Sequence, residues 1–167
     1  MTMKMLVLSD SHSSLRFMRR CIDKVQPDAV IHLGDYYDDG QVLAEEYPHI
    51  PVYQVAGNCD RYRSPIHALQ VLCCNLGGVK IFATHGHMQK VKSGIGGLVA
   101  QARRENAAVA LYGHTHVPDC HQEADGLWVL NPGSAGYGGG NAGILQTDGS
   151  AVTACRLLTG KELEEIL

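Results

Sequence analysis

Five short apolar runs recur along this chain, and each one stops at residues able to bind a metal ion. The runs are MKMLVLS (3–9), DAVIHL (28–33), PVYQVA (51–56), VKIFAT (79–84) and AAVALY (107–112). Each is rich in Val, Ile, Leu or aromatic residues, which predicts strands buried on both faces. Between the first two, Leu15, Met18, Ile22 and Val25 share one helical face. Ser13 or Ser14 supplies a cap, and Pro27 ends the pattern. A second helix is predicted over 94–105, where Ile95, Leu98, Val99 and Ala102 align, although three glycines weaken its first turn.

Past residue 117 the pattern changes. ADGLWVLN and TDGSAVTACRLL carry Asp-Gly pairs beside strand-like runs, and CCNLGGVKIF turns at Gly77–Gly78; all three read as hairpins. A βαβ first half followed by a largely β remainder predicts an α/β fold of two sheets packed face to face with helices outside.

At 167 residues the chain is expected to form a single domain, 1–167. Apolar residues make up 45% and charged residues 19%, a balance that excludes a disordered chain. A net charge of −3 with no basic run argues against an extended nucleic-acid surface. No leader-like or membrane-spanning stretch is visible, so a cytoplasmic location is expected, with no membrane partner. The six cysteines form no CxxC pair and are read as free thiols; Cys73 and Cys74, on opposite strand faces, are read as packed.

The strand ends carry the chemistry. They read SDSH (Asp10, His12), GDYYD (Asp35, Asp38), GNCD (Asn58, Asp60), THGH (His85, His87) and GHTH (His114, His116). Taken singly these have ordinary explanations: Asp10 or Asp35 as a turn-former, Asn58 as a left-handed turn residue, any one histidine as a satisfied polar group. His32 within a strand fits that description, as do His49, His67 and His121 in polar loops. Five consecutive strand ends are another matter. Two Asp, one Asn and four His gathered in one cleft need a cation to pair them. Mixed imidazole and carboxylate donors suit Mn, Fe, Zn, Ni or Co better than Mg or Ca. GGGNAG (138–143) matches the dinucleotide fingerprint but opens no helix, so it is read as a glycine-rich loop.

Together the blocks D-x-H (10–12), GD-x-x-D (34–38), GN-x-D (57–60), HGH (85–87), GH-x-H (113–116) and NPGS (131–134) resemble the calcineurin-like metallophosphoesterases, in that family's order. The small bacterial and archaeal phosphodiesterases of the group are the nearer match. The resemblance implies a four-layer α/β/β/α sandwich and two divalent ions, Mn first, with Fe, Zn or Ni as alternatives. Asp10, His12, Asp35 and His116 would hold one ion. Asp35 would bridge to a second, completed by Asn58, His85 and His114, and a hydroxide shared by the ions would attack phosphorus. Asn58, Asp38 and His87 are the further catalytic candidates, His87 equally a supporting residue. Asn58, Arg61 and Arg63 are candidates for holding substrate, the two arginines equally readable as solvated loop charges.

The chain departs from the family pattern at Ser13, where many relatives have glycine. It departs again at Cys59, where larger members have a histidine thought to assist the leaving group. The expected activity is phosphodiester hydrolysis on a small-molecule substrate. Phosphomonoester hydrolysis is one alternative, and a non-catalytic scaffold like the retromer subunit of this fold is another. Homo-oligomerisation is compatible with the sequence.

Overall fold

The computed structural model describes residues 1–166; Leu167, the last residue of the expected domain, lies outside the described residues. The strands are β1 (Met3–Leu8), β2 (Ala29–His32), β3 (Val52–Gln54), β4 (Val71–Leu76), β5 (Val79–Thr84), β6 (Val109–Leu111), β7 (Asp119–Gln122), β8 (Trp128–Asn131), β9 (Asn141–Thr147) and β10 (Val152–Thr159). The helices are α1 (Leu15–Val25), α2 (Tyr37–Glu46), α3 (Gly96–Arg104) and α4 (Gly160–Glu165).

Two five-stranded mixed sheets form, in the orders β10-β9-β1-β2-β3 and β4-β5-β6-β8-β7. Strand alternation builds the layers. Met5 and Val7 of β1 join Ile31, Ile81, Val109, Leu111 and Leu145 between the sheets. Their neighbours Leu6 and Leu8 face the other way, onto Met18 and Ile22 of α1, Leu43 of α2 and Leu163 of α4. On the second sheet Phe82, Ala110 and Val129 cover Leu98, Val99 and Ala102 of α3. The result is the four-layer α/β/β/α sandwich expected. Fully burying each large aliphatic side chain contributes about 1.5–3 kcal/mol.

The three hairpins form as read: β4–β5, β7–β8 and β9–β10 are antiparallel neighbours. Several details differ from the sequence reading. PVYQVA yields only the three-residue β3, half-buried rather than covered on both faces, because it is the edge of its sheet. The second helix starts at Gly96, after a 3₁₀ turn at Val91–Ser93. Ser14 stands at the first cap of α1, but its side chain makes no cap hydrogen bond, and Ser13 instead donates its N–H to Asp39. His121 lies in β7 rather than a loop, its nitrogens beside Asp119 and Glu123 at 3.0 Å. The cysteines are free; Cys73 is exposed rather than packed, and Cys59 is exposed as well. Cys120 and Cys155 meet where the two sheet edges adjoin, their sulfurs 3.6 Å apart. No helix among the described residues is long and apolar enough to cross a membrane.

Candidate metal centre

β1, β2 and β3 run parallel in the first sheet, and β5, β6 and β8 run parallel in the second. Their carboxyl ends open on the same cleft, so the turns after them converge. The turns are unusually contorted. Asp10, His12, Asp35, His114 and His116 all have positive φ, between 45° and 70°, as do Ser13 and Tyr36 beside them. Left-handed backbone costs a non-glycine residue about 1 kcal/mol or more. Strain of this kind persists where surrounding structure imposes it, which is characteristic of functional sites.

Hydrogen bonds supply that imposition. The Asp10 carboxylate accepts from the Ser9 hydroxyl and, at 3.1 Å, from the His114 N–H. Ser134 donates its hydroxyl to the Asp10 carbonyl at 2.8 Å. Asn131 donates to the Gly113 carbonyl and to the Thr115 hydroxyl, tying the GHTH turn to the end of β8. This gives NPGS a physical role. Asp60, fully buried, accepts the N–H groups of Asp35, Gly57 and Tyr37 at 2.7–2.8 Å. Asp35 in turn accepts the Cys59 N–H at 2.9 Å. Gly57 is needed at this point, since a Cβ there would overlap the Asp35 carboxylate and lie 2.6 Å from its nitrogen.

Below the turns, His32 is fully buried and neutral, its pKa lowered chiefly by that burial. Its Nδ1 accepts the Gly34 N–H at 3.2 Å, and its Nε2 meets the Ser11 hydroxyl at 2.9 Å. Ser11 donates to Asp39 at 2.7 Å, which also takes the Ser13 N–H. His32 is thus the satisfied core histidine expected.

The donor atoms fall into two groups. Ligand atoms of Asp10, His12 and His116 lie within 4.8 Å of one another, as do those of Asp10, Asp35 and His85. Asp10, rather than Asp35, is the carboxylate common to both. His85 is fully buried and donates Nδ1–H to the Leu33 carbonyl at 2.8 Å. In the neutral ring that leaves a lone pair on Nε2, which faces Asp35 at 3.5 Å and Asp10 at 3.9 Å with no hydrogen-bond partner. A lone pair and two carboxylates facing one another repel unless a cation stands among them. The Nε2 of His12 and the Nδ1 of His87 are likewise buried without a partner. Such orphaned donor atoms, converging on one cleft, fit a divalent metal ion.

The electrostatics agree. Burial acts to raise the Asp35 carboxyl, but positive charge placed at His85 and the Cys59 N–H outweigh it and hold the group below its ordinary value. His114 and His87 are lowered, first by burial and then by positive charge placed at His85.

The remaining predicted residues ring this cluster. The His114 ring lies 5.1 Å from His85 and 6.1 Å from His87, and His87 is 5.4 Å from His85. Asn58 is exposed at the start of a 3₁₀ turn, its amide directed at Cys59 Sγ, 3.8 Å away. Asp38 lies in the first turn of α2 and pairs with Arg63 at 3.3 Å rather than joining the donor groups. Arg63 also covers the Tyr36 ring at 4.0 Å, and Tyr36 is 4.9 Å from His12. Arg61 is exposed and lies over Tyr62. Ser9 and Asp39 also hold the turns but were not singled out from sequence, whereas Asn131 and Ser134 entered only as part of the NPGS block. Asp39, Asn131 and Ser134 each bond a backbone group, and Ser9 bonds the Asp10 carboxylate; such pairings leave no pattern in the residue order.

Comparison with known proteins places this architecture. The model of the calcineurin-like phosphoesterase superfamily domain matches residues 3–150. The phosphodiesterase YfcE of Escherichia coli is 31% identical over 180 aligned positions, covering 91% of this chain and 92% of that one. A predicted phosphoesterase of Streptococcus pneumoniae superimposes with a TM-score of 0.77 at 30% identity, covering 96% and 91% of the two chains. Vacuolar protein sorting 29 of Cryptosporidium parvum shares the fold at a TM-score of 0.72 and 17% identity, over 95% and 98%. With this fold, these strand-end donors and a match over most of its length, the chain belongs to the calcineurin-like phosphoesterase superfamily.

Proposed function

We propose that this protein is a phosphodiesterase dependent on two divalent ions, Mn²⁺ first and Fe, Zn or Ni as alternatives, acting on small phosphate diesters in the cytoplasm. The observation that carries the reading is the His85 Nε2, buried and unpartnered opposite Asp10 and Asp35. Asp10, His12 and His116 would hold one ion, and Asp35, His85, His114 and Asn58 the other, with a carboxylate shared between them. Asp35 is the candidate for sharing by family resemblance, and the membership of Asp10 in both donor groups supports Asp10 as a second candidate. Divalent ions there would acidify water and draw charge from the phosphoryl oxygens.

The protein's own groups do the rest. Asp60 holds the Asp35 backbone N–H, and the Cys59 N–H holds the Asp35 carboxylate. Arg63, over Tyr36 beside His12, stands where it can attract a phosphoryl oxygen. His87, with its buried free Nδ1, is the fallback for the leaving-group proton, which Cys59 supplies poorly, so assistance to the leaving group is weak. Asp38 orients Arg63.

The name of the YfcE relative favours diesters, and a net charge of −3 with no long basic run in the sequence favours small substrates over nucleic acid. The test is protein stripped of metal, reloaded with Mn²⁺ and assayed on an aryl phosphodiester and the matching monoester. Diester hydrolysis should dominate, and Asp35→Asn should reduce it at least about a hundredfold. Faster monoester hydrolysis would make the protein a monoesterase. Wild type that binds metal and cleaves neither would support a scaffold, for which the exposed Tyr62, Ile66 and Leu69 are the available surface.

A further inference from the structure

His85 has the outer hydrogen bond that usually fixes a metal-binding imidazole, Nδ1–H to a backbone carbonyl. His12 and His116 differ. Among the described residues, no hydrogen bond from another protein group reaches either nitrogen of His12, and His116 has only its Nε2 contact with Asp10 at 3.1 Å. Both rings need another restraint if they are to present nitrogen to one point. Each is free to turn about two side-chain torsions, and a fixed ring loses less freedom on binding an ion.

The restraint present is aromatic packing. Tyr137 lies 5.3 Å from His116 with the planes 26° apart, and 5.1 Å from His12 with the planes at 46°. One tyrosine therefore touches both rings, which are themselves 5.6 Å apart and edge-on. Tyr36 flanks His12 as well and is in turn covered by Arg63. Tyr137 is 55% exposed, far more than core packing would leave it, so its ring contributes little to the fold itself.

The loop that delivers Tyr137 is the glycine-rich stretch that resembled a dinucleotide fingerprint. Gly138, Gly139 and Gly140 all have positive φ, and a Cβ on Gly140 would strike the Phe17 ring. Ser134 Oγ accepts the N–H groups of Gly136 and Tyr137 at 3.1 Å while donating to the Asp10 carbonyl. The Tyr137 backbone is thus tied, through one hydroxyl, to the turn that carries Asp10 and His12.

From this geometry we infer that Tyr137 is a positioning residue for the His12–His116 side of the centre, holding both imidazoles by packing where His85 is held by a hydrogen bond. The inference rests on the metal-binding reading above. It makes the two ion sites unequal: removing the ring weakens one and spares the other.

Mn²⁺ titrated into metal-free, full-length protein, with free Mn²⁺ followed by electron paramagnetic resonance, tests it without recourse to activity. Wild type should take up two equivalents. Tyr137→Ala should weaken one of them about tenfold or more, in keeping with the loss of an outer support, and leave the other unchanged. Tyr137→Phe keeps the ring and should stay within about twofold of wild type at both sites. A thermal melt shows that each variant is folded. Wild-type uptake of two equivalents matched by Tyr137→Ala would overturn this inference alone, as would equal weakening of both sites in a folded variant. Folded wild type that binds no Mn²⁺ would overturn the metal reading, and this one with it.

Discussion

Asp60 receives the backbone N–H of Asp35 at 2.8 Å on the same oxygen that takes the Gly57 N–H at 2.7 Å. The end of β2 and the end of β3 are therefore clamped by one buried carboxylate, whose other oxygen holds Tyr37 at the start of α2. Charge-assisted bonds of this kind contribute about 1.5–3 kcal/mol each, and removing the acceptor leaves buried donors unpaired. Asp60→Ala should lose roughly 3–5 kcal/mol in urea unfolding. A loss below about 1 kcal/mol would mean that the clamp is dispensable.

Gly57 supplies a second, steric test of the same junction. An added methyl would overlap the Asp35 carboxylate and crowd its nitrogen to 2.6 Å. Gly57→Ala should displace Asp35 and reduce Mn²⁺ affinity at least about tenfold, as measured by titration. Unchanged binding would show that Asp35 can move and still serve.

Much of this was legible beforehand, for a simple reason. Buried strands and metal-binding side chains announce themselves by residue type, and the runs at β1, β2, β5 and β6 end in Asp or His. Other parts were not. α2 follows a left-handed Tyr36, carries Gly40 in its interior and buries only a narrow face, so no helical stripe marks it. α4 is six residues long with Leu163 as its buried anchor, too short to show a period. Asp60 was visible as part of a motif, but its work is done on three amide hydrogens, to which a residue pattern is blind.

Cys59 occupies the position where larger relatives of this family carry a histidine. It is exposed, with its sulfur 3.8 Å from the Asn58 amide. A thiol is a weak proton donor to a departing alkoxide, so the wild type should cleave aryl diesters at least about a hundredfold faster than alkyl ones. Cys59→His should narrow that gap by raising the alkyl rate. Equal wild-type rates on both classes, with chemistry limiting, would dismiss the argument.

Acid should destabilise the fold through His32. Burial lowers its pKa in the native state, whereas the unfolded chain titrates near the ordinary value of about 6.5. Below that pH the unfolded chain binds a proton that the native protein refuses. Stability therefore falls as pH drops from about 6.5 towards the native pKa, by up to about 1.4 kcal/mol per pH unit, and is fully present above 6.5. His32→Asn, which keeps an acceptor for the Gly34 N–H, should flatten that limb in urea titrations of metal-free protein. An unchanged pH profile would assign the acid sensitivity to other groups.

The left-handed backbone at Asp10, His12, Asp35, His114 and His116 has an evolutionary edge to it. Glycine at His12 or His114 would relax the chain by about 1 kcal/mol and delete a donor in the same event, whereas at Asp10 or Asp35 it would also strand the N–H groups those carboxylates accept. A lineage that ceased to need the chemistry would thus find the histidine steps away from it favourable to stability, with the two carboxylates the last to go. The fold can outlive its metal, and the turns above the sheets are where such a history would be written.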